Sequence, residues 1–225
     1  HLPLIEASSP RALTRYQNSD VQALDLGLDG WRISWHGEEF TVRTVGSHLL
    51  EDVVGAITVA DSLGIEAKTI AQALEGFQAM SGRTSVQSGP ITIIDDSYNA
   101  SWDSTSSILA YLSTLSWKGE KKVVLGPMKE LGIQSTRAHR GVAQILASSS
   151  FSQAHLYGAE MKSAKDELAR LGYRGAVTYT EDFDELGAQV EKTIREGDLV
   201  LLKASRSVAI DRLIPTLQAR GHRYA

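Results

Sequence analysis

The sequence contains no cysteine. That excludes a disulfide framework, a thiolate metal site and a cysteine nucleophile, and it suits a reducing compartment. No apolar run approaches the roughly 20 residues of a membrane-spanning helix. The amino terminus has no signal-peptide pattern, and it opens His-Leu-Pro-Leu without a methionine, as expected of a piece of a longer chain. Several chemical signatures are missing too. There is no Gly-x-x-x-x-Gly-Lys-Ser/Thr phosphate loop and no Gly-x-Gly-x-x-Gly after a strand. A Gly-x-Ser-x-Gly elbow is lacking, and no cluster of His, Asp and Glu has metal-ligand spacing. The six histidines are scattered.

What is present bounds the answer further. The chain has 225 residues, 42% of them hydrophobic, enough for a real core in one large domain or two modest ones. A net charge of −4 and a pI near 5.9 argue against a general nucleic-acid binder. Neither a nucleic-acid nor a membrane partner is expected. The sequence specifies no oligomeric state.

Along the chain, Leu2 to Ile5 reads as a possible strand and Ser8-Ser9-Pro10 as a break. Residues 21 to 45 hold three alternating runs separated by Asp29-Gly30 and His36-Gly37, which predicts a small antiparallel meander. Trp31, Ile33 and Trp35 should share its core face. The period then changes to that of a helix. Leu49, Leu50, Val53, Val54, Ile57, Val59, Ala60 and Leu63 predict a largely buried helix ending at Gly64. A second helix over about Ala67 to Phe77 should turn Ile70, Ala73, Leu74 and Phe77 inward. Met80-Ser-Gly-Arg83 reads as a junction.

From residue 91 strands and helices alternate. The strands are expected at 91–95, 122–126, 154–157, 176–179 and 198–203, and the helices at 104–115, 137–148, 161–171, 183–194 and 207–219. That pattern predicts an α/β, Rossmann-like, mainly parallel doubly wound sheet.

Three strand ends hold chemistry. Ile91-Thr-Ile-Ile-Asp-Asp-Ser-Tyr-Asn-Ala100 is a buried β-branched run that stops at two carboxylates, with Asp103 or Ser104 as a cap for the next helix. It reads either as a ligand site at a strand's carboxyl end or as a polar turn plus a cap. Val123-Val-Leu-Gly-Pro-Met-Lys-Glu-Leu-Gly132 brings Lys129 and Glu130 to the same edge. Leu199-Val-Leu-Leu-Lys-Ala-Ser-Arg206 brings Lys203, Ser205 and Arg206 there, beside a helix expected to start near Ser207, where an anion could bind.

Taken together these strings resemble the Mur ligase family, the ATP-dependent amide-forming enzymes of peptidoglycan precursor synthesis. The resemblance runs over about residues 21 to 215 and rests on Gly46-Ser-His48, Ser81-Gly82-Arg83, Ile94-Asp-Asp-Ser-Tyr-Asn-Ala100, Leu125-Gly-Pro-Met128 with Glu130-Leu-Gly132, and Lys203-Ala-Ser-Arg206. The Asp-Asp-Ser-Tyr-Asn-Ala string is its most specific part. It implies that residues 1–82 are the carboxyl-terminal portion of a central ATP-binding domain and 83–225 a complete C-terminal Rossmann-like domain. It also implies a cytoplasmic enzyme using ATP and Mg²⁺, with the phosphate-loop half of the site outside this chain.

The implied reaction makes an acyl phosphate on UDP-N-acetylmuramoyl-tripeptide, which the amine of D-alanyl-D-alanine attacks. By the same resemblance Asp96 would take the ATP ribose, Arg83 the phosphates as a catalytic group, and His48 the adenine. Tyr98 would border the nucleotide. Asn99, Lys203, Ser205 and Arg206 would face the substrates. Leu49, Asp52, Trp102, Pro127 and Ala204 depart from the family strings. A non-catalytic nucleotide- or partner-binding module derived from such a ligase therefore stays open as a second reading. Sister ligases such as folylpolyglutamate synthase share the architecture but fit the Asp-Asp-Ser-Tyr-Asn-Ala string less well.

Overall fold

A computed structural model describes residues 14–221, so the strand expected at Leu2 to Ile5 lies outside the described residues. The chain divides into two compact units. The first comprises residues up to Arg43 together with His48–Phe77. The second comprises Thr44–Ser47 and everything from Gln78 onward.

In the first unit, β1 (Gln22–Asp25), β2 (Trp31–Trp35) and β3 (Glu38–Val42) form an antiparallel meander in that order. The alternation of polar and apolar residues produces it: Trp31, Ile33, Phe40 and Val42 are buried, while Arg32 and Glu39 face solvent. Trp35 departs from the expected core face. It is half-buried at the strand end and stacks on the His36 ring with centroids 4.1 Å apart.

Helices α1 (Ser47–Ser62) and α2 (Ala67–Glu75) follow. On α1 the buried stripe is Leu50, Val53, Val54 and Ile57. Val59 and Leu63 were expected inside but stand exposed. On α2 the buried pair is Ile70 and Ala71, and Ala73 and Phe77 are exposed instead of packed.

The second unit is a three-layer α/β body. Its strands are β4 (Ser85–Gln87), β5 (Thr92–Asp96), β6 (Lys121–Leu125), β7 (Gln153–Tyr157), β8 (Ala176–Thr180) and β9 (Leu199–Lys203), ordered β4-β5-β9-β6-β7-β8. All neighbours are parallel except β4, a short antiparallel edge strand absent from the sequence expectation. β5, β6 and β9 are buried along their whole length, which is why they read as continuous apolar runs.

Helices α3 (Trp102–Thr114), α4 (Ser135–Ala147) and α5 (Lys162–Leu171) follow β5, β6 and β7. Helix α6 (Phe183–Thr193) and the carboxyl-terminal α7 (Ile214–Gly221) cover the opposite face. There Leu186, Val190, Ile194, Leu213 and Leu217 pack on Ile93, Val124, Val200 and Leu202. Burying side chains of this kind contributes about 1.5–3 kcal/mol each.

Two helix starts differ from expectation. The cap of α3 is Ser101, whose Oγ accepts from the Ser104 backbone N–H at 3.2 Å; neither Asp103 nor Ser104 holds that position. No α-helix begins near Ser207. Two 3₁₀ turns, Arg206–Val208 and Ile210–Leu213, occupy that stretch, separated by Ala209 in the left-handed region (φ 50°). A non-glycine residue at positive φ cannot continue a right-handed helix, so α7 starts later.

Candidate functional site

The register puts the interesting residues side by side. Asp96 on β5 pairs with Lys203 on β9, and Lys203 pairs with Leu125 on β6. The connections leaving β5 and β6 run to one face of the sheet, and the one leaving β9 runs to the other. A crevice opens at the carboxyl ends of strands where neighbouring connections part in this way.

Both carboxylates at the end of β5 are engaged, on opposite sides of the strand. Asp95 accepts from the Gly82 backbone N–H at 2.8 Å and from the hydroxyls of Ser81 at 3.2 Å and Ser97 at 2.5 Å. Asp96 accepts from Thr84 Oγ1 at 3.1 Å and from Lys203 Nζ at 2.5 Å. Lys203 also donates to the Asn99 carbonyl at 3.2 Å. The Lys203 side chain is 1% exposed and that of Asp96 is 11% exposed. A lysine ammonium so enclosed needs a carboxylate partner and further acceptors, and it has both.

Gly82 matters for this geometry. Its φ is +80°, and a Cβ there would stand 3.1 Å from the backbone nitrogen of Tyr98. Its carbonyl accepts the Tyr98 N–H at 2.9 Å, so the segment before β4 is laced to the loop after β5. The next residue, Arg83, is exposed and lays its guanidinium over the Tyr98 ring at 3.9 Å. Tyr98 and Asn99 are exposed. This edge thus presents an exposed arginine stacked on an aromatic ring, next to the largely buried Asp96.

The loops after β6 and β9 are tied to each other. The Lys129 N–H donates to Ser205 Oγ at 2.8 Å, and the Ser205 N–H donates to the Pro127 carbonyl at 3.1 Å. His139, buried on α4, accepts the Met128 N–H at Nε2 at 3.0 Å, while its Nδ1 lies 2.8 Å from the Ser135 carbonyl. Burial pushes the His139 pKa down, which favours the neutral ring this pattern needs. Lys129 is ion-paired with Glu160, and Arg206 with Asp211 at 3.0 Å.

The structure therefore gathers Arg83, Asp96, Tyr98, Asn99 and Lys203, with Ser205 and Arg206 on the adjoining loop. His48 belongs to the first unit, half-buried in the first turn of α1. Sequence reasoning missed Thr84 and His139. A lone threonine at positive φ (55°) and a histidine on a helix face leave no motif. Their roles arise from contacts 11 to 12 residues apart along the chain. Among the described residues no group of three or more His, Asp or Glu side chains could hold a metal ion. The residues present do not by themselves fit Mg²⁺.

Comparison with known proteins gives this geometry its context. The family model for the glutamate ligase domain of Mur ligases matches residues 82–206, more than half of the chain. The chain belongs to the Mur ligase family. It is 32% identical over 201 residues to the UDP-N-acetylmuramoyl-tripeptide–D-alanyl-D-alanine ligase of Treponema pallidum, covering 88% of this chain and 43% of that protein. It is 28% identical over 211 residues to the Bacillus subtilis ligase of the same name, covering 90% of this chain and 44% of that one.

Among solved structures, the MurF ligase of Thermotoga maritima in complex with ADP superposes with a TM-score of 0.73 at 23% identity, over 92% of this chain and 48% of that one. The folylpolyglutamate synthase of the same organism shares the fold at a TM-score of 0.61 and 18% identity, over 89% of this chain and 46% of that one. The chain thus spans less than half the length of these Mur ligase relatives. No helix among its described residues is long and apolar enough to cross a membrane.

Proposed function

We propose that this chain supplies the carboxyl-terminal half of an ATP-dependent amide ligase that joins D-alanyl-D-alanine to UDP-N-acetylmuramoyl-tripeptide. In this reading residues 1–82 are the end of a central ATP-binding domain and 83–225 are the C-terminal Rossmann-like domain. The observation that supports it most is the Asp96–Lys203–Arg83–Tyr98 arrangement at the carboxyl edge of the parallel sheet. That edge is where ligands bind in open α/β folds.

The residues divide the work as follows. Asp96 offers the carboxylate oxygen for the two ribose hydroxyls. Lys203 and Thr84 hold that carboxylate in one orientation, so no ordering is needed when the nucleotide arrives. Arg83 turns from Tyr98 toward the phosphates, where its planar fork matches phosphate oxygens. Tyr98 then borders the nucleotide. Asn99, Ser205 and Arg206 line the substrate side, with Lys203 acting through Asp96. ATP supplies the phosphoryl group that activates the acceptor carboxylate, and the phosphate loop and Mg²⁺ ligands lie outside this chain. The location is cytoplasmic and the partners are small molecules.

The test is phosphate release from ATP by the full-length protein, dependent on both substrates. Asp96→Ala is expected to lower kcat/KM at least about 100-fold, the scale of losing a positioned charged contact. The isolated 225 residues should release none, since half of the phosphate site is missing; turnover by them would contradict the assignment. Leu49, Asp52 and Pro127 stand where the family carries Asn, Asn and Asp. They favour the second reading, a binding module without turnover. That reading predicts ADP binding by the full-length protein with no phosphate release.

A further inference from the structure

From Gly126 to Lys129, the loop that leaves β6 spends its backbone donors on the protein itself. The Gly126 N–H donates to the Lys203 carbonyl at 2.9 Å, the Met128 N–H to His139 Nε2 at 3.0 Å and the Lys129 N–H to Ser205 Oγ at 2.8 Å. Residue 127 is a proline and has no N–H. From the other side, the Ser205 N–H returns to the Pro127 carbonyl at 3.1 Å. Three of these bonds tie the loop to Lys203 and Ser205. The fourth runs the other way, to a histidine one turn into α4. His139 is fully buried, and Met128 is 2% exposed.

The partners of the ring fix where its hydrogen sits. Nδ1 lies 2.8 Å from the Ser135 carbonyl, which can only accept, so Nδ1 carries the hydrogen. The Met128 N–H can only donate, so Nε2 is bare. A second proton on Nε2 would set two donors face to face in a buried site and leave the Met128 N–H without an acceptor. Burial is the largest influence on the ring and disfavours that proton. Glu160, in the turn before α5, and Lys129, in the loop itself, are ion-paired and act on the ring in opposite directions. Glu167 on α5 is held by Arg170 and Gln144. The buried face of α3 brings Thr105, Ile108, Leu109 and Leu112, which carry no charge.

We propose that His139 is a positioning residue: through its bare Nε2 it keeps the loop after β6 in the shape that presents Ser205 and Arg206 to the substrates. The inference rests on the ligase reading, which puts those two residues on the substrate side. His139 touches neither nucleotide nor peptide and acts through Met128 and Ser205. Protonation unhooks Met128, and the neighbouring Lys129 N–H then loses its fixed place on Ser205 Oγ. The reaction thereby gains a proton-sensitive support away from the reacting atoms. The neutral ring is fully present above the ordinary histidine pKa of 6.5 and is lost as pH falls through the lowered one, so peptide recognition weakens on the acid side.

The test compares two variants of the full-length protein by phosphate release between about pH 5 and 8. His139→Gln keeps an oxygen that can accept the Met128 N–H and does not titrate; His139→Leu fills the space and accepts nothing. His139→Leu should raise the KM for D-alanyl-D-alanine about tenfold while the KM for ATP stays within about twofold. His139→Gln should recover most of that loss and flatten the acid limb of the wild-type profile. An unchanged dipeptide KM in His139→Leu overturns the proposal, and so does a wild-type acid limb in His139→Gln. NMR of the 225-residue chain gives a readout that needs no turnover. Nδ1 should be the protonated ring nitrogen at neutral pH, and the Met128, Lys129 and Ser205 amide signals should follow the ring as pH falls, in wild type and not in His139→Gln. Phosphate release by the full-length protein with loop amides indifferent to His139 sinks this proposal alone. No phosphate release at any pH, with amides that follow the ring, sinks the ligase reading and leaves His139 as the residue that holds the loop.

Discussion

The six-stranded sheet carries a buried lysine–aspartate pair at each end, and the two are built for different ends. At the amino edge, Lys122 Nζ lies 2.7 Å from Asp198 and 3.0 Å from Glu120, and it donates to the Thr193 carbonyl at 2.7 Å. Asp198 also accepts the Arg195 N–H at 2.6 Å. This pair closes on itself: the lysine has three protein acceptors, and the two side chains are 3% and 5% exposed. At the carboxyl edge, Lys203 is as enclosed, and its partner Asp96 is 11% exposed, with the exposed Arg83 and Tyr98 stacked on each other in the adjoining segments. The same two residue types make a structural fastener in one place and, on the proposed reading, part of a nucleotide site in the other. What distinguishes them is the loops around them, because function gathers where connections part at the carboxyl ends of strands.

The largest expected effect breaks the amino-edge pair. Asp198→Ala takes away the buried carboxylate of the Lys122 ammonium, leaving only the exposed Glu120, and should cost about 3–5 kcal/mol by chemical denaturation. ADP binding by the protein that remains folded should not change. A loss of ADP affinity would show that the two ends are not independent.

A second, slightly smaller effect also belongs to the amino-edge side. His155 is fully buried between Thr178 and Thr193, and burial, aided by the Lys122 charge, pushes its pKa from 6.5 to about 4. The folded state then binds fewer protons than the unfolded state between these values. The stability contributed by the neutral ring is complete above pH 6.5 and is lost as pH falls toward about 4. It amounts to about 3 kcal/mol at most. Denaturation midpoints measured across that window should fall in the wild type and flatten in His155→Gln.

The carboxyl edge should respond with function at stake as well as stability. Asp96→Asn keeps the shape but leaves the buried Lys203 ammonium without a carboxylate, so it should cost about 3 kcal/mol and weaken ADP binding. Arg83→Ala removes one exposed stacking contact and should cost under about 1 kcal/mol, yet weaken ADP binding as well. A variant that loses stability without losing ADP would make this end a second fastener.

Much of the second unit was legible in the sequence. Ile91–Ile94, Val123–Leu125 and Leu199–Leu202 are apolar without interruption because both faces of their strands are covered. Asp95 and Asp96 were legible as a strand end for the same reason. What escaped was set by contacts and not by pattern. β4 is three residues long and takes its strand form from pairing with β5. The helix expected from residue 207 is broken by Ala209, whose left-handed backbone has no sequence mark. Lys203 read as a free cation because its partner lies 107 residues earlier. The exposed turns of α1 and α2 kept their apolar periodicity without a neighbour to cover it, so Val59 and Phe77 looked like core.

The central claim is that Asp96 and Arg83 form half of a nucleotide clamp. Its most direct test is an ADP titration of the 225-residue chain, read by backbone amide NMR. The account predicts saturable shifts at Arg83, Thr84, Asp96, Tyr98 and Asn99 that vanish in Asp96→Asn. Shifts confined to other residues, or an unchanged titration in that variant, would contradict it.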